Sequence, residues 1–318
     1  MLNQAGKTIR DFGGSTKTLG WYNRLPEASR FLVDQSGFQH FIPALAETHN
    51  DHAQLVALAE RWWDTTNTFH LPFGEATLTP LDFAAITGIR VGGEPLPLDD
   101  GLFRNHDALI YYLGRVPRMN ERGIMRYGHL YEDYQDFVCD TEQSFGQLAR
   151  AFLLYLLGVS LFATKDNRIS LRFLPALRDL YHVHTYDWGG AALATLYGHM
   201  GYLSRSSEST LSMGGYWRIW EVYHFKISGF IRLLPLRIHL RLLTYQLVLL
   251  QLWAYEFLGM RLPENTYADA EVIPRALRWA RSTRGTKVGG KSLDRDGLFL
   301  NRLAENRVRC VSLFSLSA

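Results

Sequence analysis

Polar and hydrophobic residues alternate along one short stretch that a turn follows. Thr68 to Leu71 reads polar, apolar, polar, apolar, which is typical of a half-buried strand. Pro72-Phe73-Gly74 supplies turn-forming residues, and Glu75 to Leu78 runs back as a second strand. The pattern therefore predicts a β-hairpin over residues 68–78.

A short capped helix is predicted directly after the hairpin. Thr79 suits the N-cap, Pro80 fits the first turn, and Asp82 places negative charge near the positive end of the helix. Gly88 ends this helix, and residues 89–91 can form a third extended stretch before a pair of glycines.

Longer segments repeat their apolar residues at helical spacing. We predict helices over residues 51–63, 141–163, 168–181 and 189–203, with Thr141 as the N-cap of the second. The last thirteen residues of that second helix are apolar on every side, so we expect them to lie at the centre of the fold.

The fold class that follows is mainly α (α+β): a compact multi-helix domain with a small β-hairpin or sheet element near residues 67–91. The 318 residues, 47% of them hydrophobic, are enough for a substantial core. We expect a flexible N-terminus over residues 1–20, one domain over residues 21–280, and a basic, weakly structured tail over residues 281–318.

Cysteine content and targeting signals favour the nucleus, with the cytoplasm as the alternative. Cys139 and Cys310 have no CxxC spacing, which argues against a disulfide scaffold and a zinc finger. Residues 1–14 lack the apolar core of a signal peptide. The longest uncharged run near the apolar segment 222–251 has 14 residues, whereas a membrane span needs about 20.

The net charge of +3 is unevenly distributed along the chain. Residues 1–221 carry 19 basic and 24 acidic side chains, whereas residues 222–318 carry 15 and 7. Ten basic residues against three acidic ones lie between Arg275 and Arg309. This stretch is either an ordinary solvated surface or a contact for phosphate groups, with Trp279 available to stack on a base. The candidate nucleic-acid contacts are Arg275, Arg278, Trp279, Arg281 and Arg284.

Residues suited to catalysis are sparse, and we predict no enzyme activity, cofactor or metal site. A pyridoxal-phosphate enzyme needs a Schiff-base lysine, but Lys165 lies in a polar turn where an amine is poorly desolvated. His49 and His52 flank Asp51 at metal-ligand spacing without a third ligand, so we expect them at a solvated helix start. His70 and Glu75 face each other across the hairpin, where a cross-strand contact is favoured over an acid–base pair.

Several motifs, in order, resemble the plant mobile domain family over roughly residues 20–308. They are ERW, TFHLPFGE, DF, TGI, RAFLLYLLG, YDWG, AALA, GGYWR, LWAYE and PRALRW. The signature residues, expected to be structural or partner-binding, are Trp62, Phe69, His70, Leu71, Pro72, Gly74, Glu75, Asp82, Gly88, Trp188, Gly189, Gly215, Trp217 and Trp253.

This resemblance implies a non-catalytic nuclear module that binds proteins and acts in meristem maintenance, development and the silencing of genes and transposons. It also implies a phosphatase-like protein partner. Members carry the label "aminotransferase-like", but the lysines give that activity no support. The alternative is a transposon-derived protein that binds nucleic acid through its basic C-terminal region.

The resemblance breaks at Val222 and resumes at Leu252, and the intervening 30 residues contain no acidic side chain. Two interpretations remain: a translated intron or a genuine amphipathic insertion. Valine codons begin with GT, and Gln251 can be encoded by CAG, which are the usual intron boundaries. Removing the segment keeps the frame and brings Trp217, Trp220 and Trp253 to helical spacing. The last nine residues, from Cys310, also depart from the family pattern.

The intron hypothesis predicts a transcript that joins the codons of Glu221 and Leu252 directly. Amplifying and sequencing the transcript across this junction tests the prediction. A main product that retains all 30 codons would show that the segment belongs to the protein.

Overall fold

The computed structural model describes residues 15–46, 58, 60–72, 74–164, 167–205 and 299. Several of the predictions fall outside these residues, so the structure does not bear on them. They concern residues 1–14, Phe73, His49, His52, Lys165, Gly215, Trp217, Trp253, the segment 222–251, and Arg275, Arg278, Trp279, Arg281 and Arg284.

Most of the described chain is helical, with two small antiparallel sheets, which confirms the predicted mainly α class with a small β element. The helices are α1 (Ser15–Arg24), α2 (Glu27–Gln35), α3 (Phe41–Ala46), α4 (Pro80–Thr87), α5 (His106–Leu113), α6 (Tyr127–Tyr134), α7 (Glu142–Val159) and α8 (Trp188–Arg205). The strands are β1 (Trp62–Trp63), β2 (Thr68–Leu71), β3 (Gly74–Ala76), β4 (Ile124–Arg126) and β5 (Arg168–Ser170). Short 3-10 helices cover Leu102–Arg104, Leu171–Leu177 and Val183–Thr185.

Helix α7 forms the centre of the fold, as the sequence predicts. Every residue from Ala151 to Val159 is buried, and α1, α2, α5 and α6 all pack against this helix. Trp21 of α1 meets Phe152 and Tyr155 edge to face, at ring distances of 5.2 and 5.1 Å. Aromatic pairs in this geometry add stability beyond the area that they bury.

The ends of α7 have separate causes. Thr141 is the N-cap, and its side chain and that of Ser144 form a reciprocal capping box. The helix ends at Val159 rather than at the predicted residue 163. Ser160 leaves helical geometry, with φ −126° and ψ −89°, and the amide of Phe162 bonds to the carbonyl of Leu157 five residues earlier.

The predicted hairpin is present, and β1 extends it to three strands in the order β1-β2-β3. Phe69 lies opposite Trp62 on one side and Ala76 on the other, and His70 lies opposite Glu75. The return strand covers Gly74–Ala76, so it is shorter than the predicted 75–78.

Residues 62 and 63 correct the prediction of a helix over residues 51–63. Leu58 is helical, but Trp62 and Trp63 form β1. The spacing of the apolar residues fits a chain that turns before Trp62 as well as it fits a helix. Contacts with residues distant in the sequence decide between the two. Trp62 packs on Phe69 and Tyr197 at ring distances of 4.8 and 5.5 Å, and a strand presents this side chain to both.

Helix α4 begins and ends as predicted. Thr79 and Asp82 form a capping box, Pro80 is the first helical residue, and Gly88 terminates the helix with φ 70°. Residues 89–91, however, form no strand, which corrects the prediction of a third extended stretch. The carbonyl of Arg90 instead accepts a hydrogen bond from the amide of Gly189, at the start of α8.

Residues 168–181 do not form the predicted helix. Arg168–Ser170 pairs with Ile124–Arg126 as an antiparallel sheet, and Leu171–Leu177 continues as a 3-10 helix that contains Pro175. Apolar residues of both the strand and the 3-10 helix face the core. Their spacing along the sequence therefore resembles that of one continuous helix. Helix α8, by contrast, is present over the predicted residues and is slightly longer.

Gly189 fixes how closely α8 approaches the chain after α4. A Cβ atom at Gly189 would lie 2.5 Å from the Arg90 carbonyl oxygen and 2.7 Å from a methyl group of Val91. Gly128, the second residue of α6, has no atom within 4 Å of the same position. The two glycines occupy equivalent places in their helices, so they form a matched pair.

We expect Gly189→Ala to lower the free energy of unfolding by about 1–3 kcal/mol, because backbone must move to admit the methyl group. Gly128→Ala should leave stability unchanged or raise it slightly, since alanine is the better helix former. Chemical denaturation of both variants measures the difference. Equal free energies of unfolding for the two variants would show that α8 does not pack tightly against Arg90 and Val91 at Gly189.

Candidate functional site

Five of the eleven described signature residues are buried and help to hold the fold together. Trp62, Phe69 and Leu71 belong to the hydrophobic core. The indole nitrogen of Trp188 donates a 2.9 Å hydrogen bond to the carbonyl of Val183, which anchors the start of α8. Asp82 caps α4 through a 2.8 Å bond from the Thr79 amide. These contacts are structural, and the buried side chains among them are not available to a partner.

The outward side of the three-stranded sheet carries the remaining polar signature residues. We call Trp63, Thr68, His70 and Glu75 the hairpin face. Side chains alternate across a strand, so the register that buries Phe69 points His70 outward. The indole of Trp63 stacks on the His70 ring with centroids 5.0 Å apart and planes 18° apart, and 54% of Trp63 remains exposed.

Glu75 connects this stack to the neighbouring strand. One carboxylate oxygen lies 3.6 Å from Nε2 of His70, and the other accepts a 2.9 Å hydrogen bond from the Thr68 hydroxyl. About half of the His70 side chain and half of the Glu75 side chain are open to solvent. A water-exposed pair of this kind contributes little to the free energy of folding. Together with the Trp63 ring, it places a hydrogen-bond donor, a carboxylate and an aromatic surface side by side.

Contacts with α8 hold the hairpin face in place. Asp64 pairs with Arg205 at the end of α8. The Tyr197 hydroxyl donates a 2.6 Å hydrogen bond to the carbonyl of Leu78 and lies 3.2 Å from the Thr77 hydroxyl. Burial raises the pKa of the Tyr197 phenol, which remains a neutral donor. The sheet therefore rests on a rigid support, as an interaction surface requires.

Sequence reasoning missed two residues of this region. Trp63 was assigned to a helix, and only the strand pairing of Trp63 with Thr68 shows that it shares a face with His70. Asp187 was noted as part of a motif but given no role. Its carboxylate accepts bonds from the amides of Gly92 and Gly190, at 2.8 and 2.7 Å, and so joins the turn at Gly92 to the first turn of α8.

The other histidines are placed as follows. His182 lies 3.3 Å from Glu94 on the surface, and His184 is in a 3-10 turn. His199 is buried in α8. Within the described residues, no group of three or more His, Cys, Asp or Glu side chains has the arrangement of a metal site. None of the described helices is both long enough and apolar enough to cross a membrane.

Comparison with known proteins identifies the family. The sequence model of the plant mobile domain matches residues 37–308. The chain belongs to the plant mobile domain family. No solved structure matches it significantly.

Three curated relatives come from Arabidopsis thaliana. MAIN-LIKE 2 is 33% identical over 222 residues, which are 67% of this chain and 32% of that protein. MAINTENANCE OF MERISTEMS is 31% identical over 209 residues, or 62% and 42%. A serine/threonine-protein phosphatase 7 long form homolog is 32% identical over 217 residues, or 67% and 14%. The chain thus spans less than half the length of each of these relatives.

Proposed function

We propose that this plant mobile domain chain is a non-catalytic nuclear interaction module that acts in meristem maintenance, development and the silencing of genes and transposons. The printed name of one relative supports the link to meristems. The observation that carries the proposal of protein binding is the hairpin face, where an exposed tryptophan stacks on a signature histidine above a rigid support.

The relatives support a modular role. Regions similar to this chain occupy 32% of one relative, 42% of another and 14% of a third. A domain carried by proteins of such different lengths is typical of a unit that contributes binding rather than a complete reaction. One of those relatives is named as a phosphatase homolog, which favours a phosphatase-like protein as the partner of this chain.

The chemistry of the hairpin face suits a protein partner. Tryptophan is enriched among the residues that dominate binding energy, because its large rigid surface is desolvated at small entropic cost. Thr68, His70 and Glu75 surround Trp63 with groups that can form hydrogen bonds at the rim of an interface.

We expect Trp63→Ala to weaken binding of a phosphatase-like partner about tenfold or more, because truncating a central tryptophan commonly costs about 2 kcal/mol. Val138→Ala is the control, since Val138 is 80% exposed and lies outside the hairpin face. The complex is first recovered from plant nuclei, and the affinity of the purified components is then measured by calorimetry. Equal affinities of both variants would remove the hairpin face from the interface, and the absence of any complex in nuclei would refute the proposal.

A second candidate function, nucleic-acid binding, is favoured by the charge asymmetry. The stretch from Arg275 to Arg309 carries ten basic and three acidic residues, with Trp279 among its arginines. Basic residues with interleaved aromatic side chains are suited to phosphate backbones and stacked bases.

If the basic stretch binds nucleic acid, the full chain should bind DNA at low salt with an affinity that falls steeply as the salt concentration rises. Reversing the charge of Arg275, Arg278, Arg281 and Arg284 should abolish binding. Fluorescence anisotropy with a labelled oligonucleotide measures both. No binding at low salt, together with a stable protein complex from nuclei, would exclude this second function.

A further inference from the structure

Two arginines lie directly opposite each other on the small sheet of β4 and β5. Arg126 of β4 pairs with Arg168 of β5. The Tyr127 amide donates a 3.0 Å ladder bond to the Asn167 carbonyl, so the neighbouring pair of arginines occupies a non-hydrogen-bonded position. In such a position the two Cβ atoms are roughly 5 Å apart and both side chains lie on the same face of the sheet. We call Arg126 and Arg168 the arginine pair.

The arginine pair lies on the outer face of this sheet. Met125 and Ile169 alternate with the arginines and are buried, and Ile169 lies against Gly158 of α7. Arg126 is exposed, and Arg168 is half-buried. The buried neighbours fix the register of the two strands, and the register holds the two guanidinium groups beside each other at the surface.

Among the residues that the structure describes, no acidic side chain pairs with either arginine. Nε of Arg168 is buried and has no hydrogen-bond partner there. Arg172, two residues after β5, by contrast lies 3.4 Å from Asp100. Lys165 and Asp166 precede β5 in the sequence with opposite charges, so they leave the local balance of charge unchanged.

This arrangement is unfavourable for the protein alone. Like charges directly opposite each other destabilise an antiparallel pair of strands, and a buried donor without a partner adds to the cost. Arg126 also directly precedes α6, which begins without a side-chain cap, so the positive end of the helix strengthens the local field. An anion held between the two guanidinium groups would offset their repulsion.

A phosphate monoester matches the arginine pair in charge and in acceptors. It carries about −1.5 to −2 charges at neutral pH and three acceptor oxygens, which guanidinium groups bind in pairs. A carboxylate would offset only one of the two positive charges. A nucleic acid fits less well, because its many phosphates need an extended basic surface, whereas residues 1–221 carry 24 acidic and 19 basic side chains.

We propose that the arginine pair binds a phosphorylated side chain of a protein partner. The two guanidinium groups donate to the phosphate oxygens from opposite strands, and phosphorylation of the partner therefore controls this contact. The site goes beyond the proposed hairpin face, since it lies on the other sheet and uses none of the same residues. Either surface can thus be tested without the other.

The probe is the peptide acetyl-Gly-Gly-phosphoserine-Gly-Gly-amide, whose flanking residues are uncharged, and ligand-observed NMR titration of the full chain measures its affinity. Arg126→Gln and Arg168→Gln should each weaken binding about tenfold, because each removes hydrogen bonds to a charged group. Arg90→Gln/Arg104→Gln is the control for net charge, because both residues are exposed and lie outside the sheet. Its affinity should equal that of the unmodified chain.

Three further variants separate recognition from unfolding and from general attraction. Arg126→Gln/Arg168→Gln removes the repulsion between the strands, so its melting temperature without peptide should be no lower than that of the unmodified chain. Arg126→Lys/Arg168→Lys keeps both charges but loses the planar donors, so binding should weaken several-fold. Trp63→Ala changes the hairpin face and should leave binding of the phosphopeptide unchanged, whatever it does to a protein partner.

Several results would overturn the proposal. Equal affinity of Arg126→Gln/Arg168→Gln and the unmodified chain would show that the phosphate binds elsewhere. Equal affinity for the phosphoserine peptide and for the same peptide with serine or glutamate would show that the pair does not recognise phosphate. Full binding by Arg126→Lys/Arg168→Lys would reduce the contact to attraction between charges. Tighter binding of a single-stranded oligonucleotide that depends on the same two arginines would assign them to nucleic acid instead.

Discussion

The burial of the second half of α7 is the constraint on which the structure depends. Nine consecutive residues, 151–159, have no exposed side, so the other elements must surround them. Helices α1, α2, α5 and α6 pack against α7, and the small sheet of β4 and β5 covers its C-terminal half. Gly158 permits this last approach, since a Cβ atom there would lie 3.0 Å from that of Ile169 and 3.1 Å from that of Tyr127. Removing a large side chain from such a centre costs several kcal/mol, about 3–5 for a phenylalanine.

Features with local causes were predictable from the sequence, and features with distant causes were not. The N-caps at Thr79 and Thr141 and the end of α4 at Gly88 each depend on groups within a few residues, and each was predicted. Trp62 is a strand residue because Phe69 and Tyr197 receive its side chain. Nothing near Trp62 in the sequence specifies those contacts.

The same division holds for the candidate site. Alternation around Phe69 placed His70 and Glu75 on the outer face in the correct register. Trp63 joined them only when the third strand was known. Phe31, Tyr111 and Tyr181 line one groove although they are distant from one another in the sequence, and no local pattern predicts that they meet. The buried signature residues report a shared fold, whereas the exposed ones, among them His70 and Glu75, lie on the surface of the hairpin.

Arg150 shows how a half-buried cation can hold a segment of backbone in place. Its guanidinium joins α7 to the end of the 3-10 helix Leu171–Leu177 through two carbonyls, while Tyr112 covers its flat side. Lysine could not reproduce this, because an ammonium group lacks the planar pair of donors that reaches both carbonyls while stacking on a ring. The groove wall that residues 178–181 form is thus held in place by the chain itself, so a molecule that binds there need not order this backbone first.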